Sequence, residues 1–188
     1  AISKLFAHLM TRNFREYHNI YAVSGILFNH ESPLRSEEFV TRKIVKGLIN
    51  ILNKKQQTLK VGNLDSKRDW GFAKEYVQVM WKMMQQKKPQ DFVISTGKAY
   101  SVKYFIDLTL KELGIKGKWI GKKNKRKFVT NQNKTIIAVS SQLIRSKEYK
   151  LLIGNSSKAK KILKWEPKID IKKLVKIMVE EEKRFLCI

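Results

Sequence analysis

Cationic and hydrogen-bonding side chains fall at several places in the sequence where they could grip an anion. Asn29, His30 and Arg35 follow an apolar run, Ile20–Phe28. If that run is a parallel strand, they lie at its carboxyl end, where open α/β sheets bind ligands. Thr41, Arg42 and Lys43 stand at the start of an apolar-periodic stretch. The first turn of a helix there could present backbone N–H groups and basic side chains to a diphosphate; the plainer alternative is a positively charged helix face. Arg68 follows Gly62 in a polar segment. A guanidinium can make bidentate bonds to phosphate oxygens, although Asp65 and Asp69 could instead hold it in a structural salt bridge. Arg145 and Glu148 stand at i and i+3, a spacing that suits a charge pair on a helix. Lys4 lies in an amphipathic stretch and on spacing alone reads as a solvated helix residue. His8, His18 and His30 are scattered, and Cys187 is the one cysteine, so no metal-ligand spacing and no intramolecular disulfide are expected.

The elements that must position these residues alternate. Ile2, Leu5, Phe6, Leu9 and Met10 predict a helix over about 2–17. No capping residue precedes it, so the chain reads as a segment of a longer protein. The run 20–28 is apolar on both faces, as a buried parallel strand would be. Ser36 could cap a helix over about 37–53. A strand at 58–61, a polar loop at 63–71, a helix at about 72–87 and a strand at 92–95 follow. Ser101 caps a helix over about 102–113, stopped by Gly114. The stretch 115–135 reads as basic and irregular, with a short strand near 118–120. Residues 135–139 suit a strand, a short helix starts at Ser156 or Ser157, Pro167 breaks it, and a helix over 171–185 closes the pattern. Strands alternating with helices imply an α/β or mixed α+β architecture.

Composition bounds the function. The 188 residues hold 40 Lys+Arg against 16 Asp+Glu, a net charge of +24, with 43% apolar residues. That apolar share supports a packed core, and no stretch approaches the roughly 20 apolar residues of a membrane span. The charge invites a nucleic-acid reading, and Lys116–Lys127 carries seven basic residues and no acid. Yet 32 of the 40 cations are Lys and only 8 are Arg, and Arg is the residue that reads bases and grips phosphates. A basic nucleic-acid-binding module is therefore the alternative and not the first reading.

Three long motifs stand in order along the chain: Gly25-Ile-Leu-Phe-Asn-His-Glu-Ser-Pro33, Phe39-Val-Thr-Arg-Lys-Ile44, and Gly62-Asn-Leu-Asp-Ser-Lys-Arg-Asp-Trp-Gly71. Ala159 to Pro167 adds a helix-Leu-x-Trp-x-Pro ending. Together they resemble the GDP-mannose 4,6-dehydratases of the extended short-chain dehydrogenase/reductase superfamily, over nearly the whole chain and most weakly over 115–140. The resemblance implies the C-terminal part of a Rossmann-type NAD(P)-binding fold plus a small mixed α/β substrate-binding domain. Residues 1–36 would close the Rossmann domain, and 37–188 would be mostly the nucleotide-sugar domain, with a return to the Rossmann sheet around 58–95.

The same resemblance assigns roles. Lys4 matches the Lys of the family's catalytic Tyr-x-x-x-Lys pair, whose Tyr would lie just before Ala1; the ammonium would lower the phenol pKa and bind the nicotinamide ribose. His30 and Arg35 match contacts to NADP. Asn29, Lys43, Arg68, Arg145 and Glu148 match contacts to the nucleotide sugar. Ser146 replaces the Pro of the family's Arg-Pro-x-Glu motif and so frees a φ angle. Trp165 and Pro167 are expected to pack the terminal helix. The implied reaction converts GDP-mannose to GDP-4-dehydro-6-deoxy-mannose with NADP as redox cofactor, in a cytoplasmic homo-oligomer, with this segment inactive alone. A related nucleotide-sugar epimerase or reductase would share the fold and Lys4.

Overall fold

The computed structural model describes residues 1–186; Cys187 and Ile188 lie outside the described residues. In chain order the elements are α1 (Ile2–Tyr17), β1 (Gly25–Leu27), β2 (Asn29–Glu31), α2 (Val40–Leu52), β3 (Leu59–Val61), β4 (Lys67–Phe72), α3 (Ala73–Met84) and β5 (Phe92–Ile94). They continue with β6 (Ala99–Ser101), α4 (Val102–Glu112), β7 (Gly117–Ile120), β8 (Lys127–Thr130), β9 (Thr135–Val139), β10 (Leu151–Leu152), α5 (Ser157–Leu163) and α6 (Ile171–Phe185). The chain forms two compact units, each built from three separate segments. No described helix is long and apolar enough to cross a membrane.

Unit 1 draws on residues 1–30, 69–98 and 153–168. β1 and β5 pair in parallel, Gly25 with Phe92 and Leu27 with Ile94. Tyr76, Val79 and Met83 of α3, Phe92 and Ile94 of β5, and Ala159, Leu163 and Trp165 form the core, with Val23 and Leu27 packed against it. Trp165 packs here, edge-on to Tyr76 at 5.9 Å between centroids. Gly71 is required by this packing, because a β-carbon there would overlap the Tyr76 ring.

α1 is different: it buries none of its residues, and Ile2, Leu5, Phe6 and Leu9 are exposed. It is held by polar bonds instead. The Arg15 guanidinium donates to both carboxylate oxygens of Asp91 at 2.7 and 2.9 Å and to the Ala22 carbonyl at 3.1 Å. His8 Nδ1 meets Ser24 Oγ at 3.0 Å. The expected long strand 20–28 shrinks to Gly25–Leu27, and Ile26 is about half exposed. Ahead of it the Ser24 carbonyl still accepts the Phe92 N–H at 3.0 Å, and other groups bond to side chains and carbonyls. Ser24 N–H donates to Asp91 Oδ1, and the Tyr21 hydroxyl lies 2.8 and 2.9 Å from the carbonyl oxygens of Gln86 and Met83.

Unit 2 comprises residues 31–68, 99–152 and 169–188, of which 187 and 188 are not described. Its sheet runs β3-β9-β8-β7, parallel at β3–β9 and antiparallel at the other two pairs. The stretch expected to be irregular is therefore largely a hairpin, β7–β8, which the density of lysines masks. Arg126 beside it is bound to Asp65, which holds that carboxyl below its usual range. α2, α4 and α6 bury Ile44, Leu48, Phe105, Ile106, Leu174 and Val175 around this sheet's Leu59, Phe128 and Ile137. Ser101 caps α4, its Oγ accepting from Tyr104 N–H at 3.1 Å, and Asp170 caps α6 by accepting from Lys173 N–H at 2.8 Å. Ser36 caps nothing: α2 starts at Val40, and Ser36 instead accepts the Phe39 N–H through its backbone carbonyl.

The polar segment 63–71 also departs from expectation, because Lys67–Phe72 is a strand. Charge at Lys67, Arg68 and Asp69 conceals it. Leu151 and Leu152 of β10 pair in parallel with Lys67 and Arg68.

Candidate functional site

In unit 1, Lys4 is exposed on α1 and makes no ion pair among the described residues. Asn29 and His30 follow β1, whose ladder ends at the Phe28 N–H to Ile94 carbonyl bond of 2.9 Å. His30 Nδ1 lies 2.9 Å from the Phe28 carbonyl oxygen. A carbonyl only accepts, so Nδ1 carries the proton, and in the neutral ring Nε2 is left as an acceptor. The imidazole lies against the Tyr76 ring, 5.4 Å between centroids, and Tyr76 is in turn braced by Trp165. Tyr76 and Trp165 are thus supports that sequence reading placed only as packing residues.

Asp69 is a further one. It is buried, and it accepts from Thr96 N–H at 2.9 Å, Thr96 Oγ1 at 2.6 Å, Gly97 N–H at 2.9 Å and Gly154 N–H at 3.3 Å. This carboxylate fixes the loop after β5 against the turn before α5. Its position beside Arg68 suggested a salt bridge, and it has none with Arg68. A strand flanked by small loop residues was the available signal, and it was hidden within the polar run.

In unit 2, Arg68 and Glu148 are brought together. Arg68 Nη2 donates to Glu148 Oε1 at 3.0 Å, and Nη1 donates to the Lys67 and Tyr149 carbonyls, each at 2.8 Å. The other carboxylate oxygen of Glu148 accepts from Asn63 Nδ2 at 3.3 Å. Asn63 is oriented by its own acceptor bond from Asp65 N–H at 3.0 Å. Both Glu148 oxygens are therefore fixed, and Arg68 retains its Nε–H and one Nη2 hydrogen for a further acceptor. Arg145 does not join them: it is exposed in a non-helical stretch, and no helical pair with Glu148 exists.

Arg35 stands in the loop that leads into α2, and Lys43 on the first turn of that helix. The Arg35 guanidinium lies 3.6 Å from the centroid of the Phe39 ring, and its Nε is 3.5 Å from Glu31 Oε2. Thr41 Oγ1 donates to the same Glu31 oxygen at 2.5 Å. Lys43 is half-buried and makes no ion pair among the described residues. His8 is engaged with Ser24, and His18 lies against Phe14 at 5.4 Å.

Residues 1–178 match the GDP-mannose 4,6 dehydratase family. The chain belongs to this family. It is 45% identical over 193 aligned residues to GDP-mannose 4,6-dehydratase of Vibrio cholerae, covering 97% of this chain and 52% of that protein. It is 42% identical to GDP-mannose 4,6 dehydratase of Dictyostelium discoideum (99% and 52%) and 44% identical to GDP-mannose 4,6 dehydratase 1 of Arabidopsis thaliana (97% and 46%). The chain thus spans about half the length of these relatives. Among solved structures it resembles UDP-glucose 4-epimerase of Thermotoga maritima with UDP-glucose, with a TM-score of 0.78 at 17% identity, covering 98% of this chain and 53% of that one. It also resembles RMD from Pseudomonas aeruginosa complexed with NADPH, with a TM-score of 0.77 at 16% identity and coverage of 97% and 55%. At such identities these likenesses establish the Rossmann-type epimerase/dehydratase fold.

Proposed function

We propose that this GDP-mannose 4,6-dehydratase family chain contributes to the conversion of GDP-mannose to GDP-4-dehydro-6-deoxy-mannose, with GDP-mannose as substrate and NADP as cofactor. The observation that carries the reading is the match of residues 1–178 to the family together with identities of 40–45% along nearly the whole chain. The reading goes with a cytoplasmic homo-oligomer.

The residues present fit such ligands. Lys4 offers an exposed ammonium with no acidic partner among the described residues. Near a phenol, that charge favours the phenolate, and its three N–H donors suit ribose hydroxyls. The unprotonated Nε2 of His30 is an acceptor for a ligand hydroxyl or amide, and the ring cannot rotate freely while Nδ1 holds the Phe28 carbonyl. Arg35 supplies a second cation toward the cofactor. When bound, NADP would supply reversible hydride transfer at the sugar.

On the substrate side, Glu148 is an acceptor held in place by Arg68 and Asn63. It suits a diol or an amino group of a nucleoside, and the remaining Arg68 donors suit a phosphate oxygen. Lys43 adds an ammonium, unpaired among the described residues, at the first turn of α2, where backbone N–H groups also favour an anion. Asn29 supplies an amide for a sugar hydroxyl. Arg145 is the least fixed member, exposed and unpartnered, and contributes charge more than geometry.

The test is direct. The purified 188-residue chain is titrated with GDP-mannose by calorimetry and then assayed for turnover with NADP. We expect binding weakened most by Glu148→Ala or Lys43→Ala and least by Arg145→Ala, with no turnover by this segment alone. Absence of any GDP-mannose binding would sink the pocket reading, and turnover would sink the expectation of inactivity.

A further inference from the structure

We propose that Glu182, near the end of the last helix, is a positioning residue for the ligand segment 31–43, which runs from the end of β2 through a loop into the first turn of α2. It acts by holding Arg42, and through Arg42 the backbone of Arg35. The inference rests on the pocket reading above, since Arg35 and Lys43 stand on that segment. It adds a residue that lies beyond the 1–178 span matching the family.

Glu182 is 2% exposed, a rare setting for a carboxylate unless it is paired. Its partner is Arg42, whose Nε donates to Oε2 at 2.9 Å. Arg42 then uses Nη1 to donate to the Arg35 carbonyl at 2.9 Å. One guanidinium therefore ties α6 to a loop about 140 positions away in sequence. Phe185, one turn on from Glu182, lies with its ring 5.8 Å from the Arg42 guanidinium carbon.

Within the loop, the fixed Arg35 carbonyl fixes the turn that Arg35 N–H closes on the Ser32 carbonyl at 3.0 Å. Beyond it, the Phe39 N–H closes a second turn on the Ser36 carbonyl at 3.1 Å. The Arg35 side chain is set on the Phe39 ring and against Glu31, and Glu31 also accepts from Thr41. Every bond in this chain of contacts lies within unit 2. Remove the Glu182 carboxylate and Arg42 keeps its charge in a largely buried place without its bonded counter-ion, so the donor to the Arg35 carbonyl is no longer held in place.

Glu182→Gln removes the charge at constant shape, but it risks general instability because it strands a buried cation. The double variant Arg42→Met/Glu182→Leu replaces the pair with apolar groups, an exchange that commonly leaves stability intact. Two readouts apply: amide hydrogen exchange of peptides covering 32–40 against the α4 core (Phe105, Ile106), and calorimetric affinity for GDP-mannose. In the double variant the loop amides should exchange about tenfold faster while the α4 amides do not change, and affinity should fall about tenfold, the usual scale for loosening a group that orients a ligand contact.

Unchanged exchange in 32–40 would overturn the proposal. So would equal acceleration in α4, which would make the pair merely structural, or unaltered affinity in a loosened loop. A wild-type chain that binds no GDP-mannose refutes the pocket reading instead, and loop exchange alone then decides whether Glu182 holds the loop.

Discussion

α1 in unit 1 and α2 in unit 2 share the same helical period of apolar residues and put it to opposite use. α2 buries Ile44, Val45, Leu48 and Ile49, whereas α1 leaves Ile2, Leu5, Phe6 and Leu9 exposed and buries nothing. α2 is secured by area removed from water. α1 is secured by directed bonds to Asp91, Ala22 and Ser24, all from its middle and C-terminal part, while Lys4 sits near the other end. An apolar stripe therefore states that a helix can take a partner surface. It does not state that the partner is in the same unit.

The comparison can be broken by substitution. Leu48→Ala should cost about 3 kcal/mol in denaturant unfolding, the scale for a fully buried leucine. Equal loss from Leu5→Ala would show that α1 is held by burial after all. Asp91→Asn should cost about 1–2 kcal/mol, less than a fully buried ion pair because both partners keep some solvent contact. It should also raise hydrogen exchange across 2–17 more than in α2, and uniform exchange in both helices would contradict the idea of a local clamp.

The clamp also gives a pH dependence. Its hydrogen bonds from Arg15, helped by the Ser24 N–H, hold the Asp91 carboxyl below its usual range against the opposing effect of burial. A depressed folded-state pKa means the stabilisation is present above the unfolded value, about 3.9, and disappears as the pH falls through the lower folded value. Helix protection in 2–17 should therefore hold at neutral pH and be lost only in acid below about pH 4, and Asp91→Asn should abolish that acid step. The smallest effect is reserved for Leu5→Ala, expected within about 0.5 kcal/mol as for other exposed substitutions.

Helices were legible because their apolar spacing survives a lysine-rich background. α1 runs over Ile2–Tyr17 and α6 over Ile171–Phe185, as the periodicity predicts, and Ser101 caps α4 as its position predicts. Strands were harder. β4 carries Arg68, and the turn between β7 and β8 carries Arg126; their neutralisation happens at a distance, by Glu148 and by Asp65, so local sequence reads as loop. For the candidate site, the residue types and the motifs singled out Arg68 and Glu148 separately. Their bond to each other, and the Asn63 that completes it, depend on segments 80 and 85 positions apart, which no local pattern contains. Arg145, chosen on the same motif, has no helix beneath it to bring it to Glu148.

The four donors on Asp69 have a consequence for the order of events during synthesis. Its partners lie 27, 28 and 85 positions downstream. A chain emerging N-terminus first presents Asp69 well before Gly154 exists to meet it. The described part of unit 1 can close only after residues 153–168 have been made, by which time most of unit 2 is already available to fold. A ribosome stalled before Gly154 would hold α3 and β5 with a core that still lacks Ala159, Leu163 and Trp165.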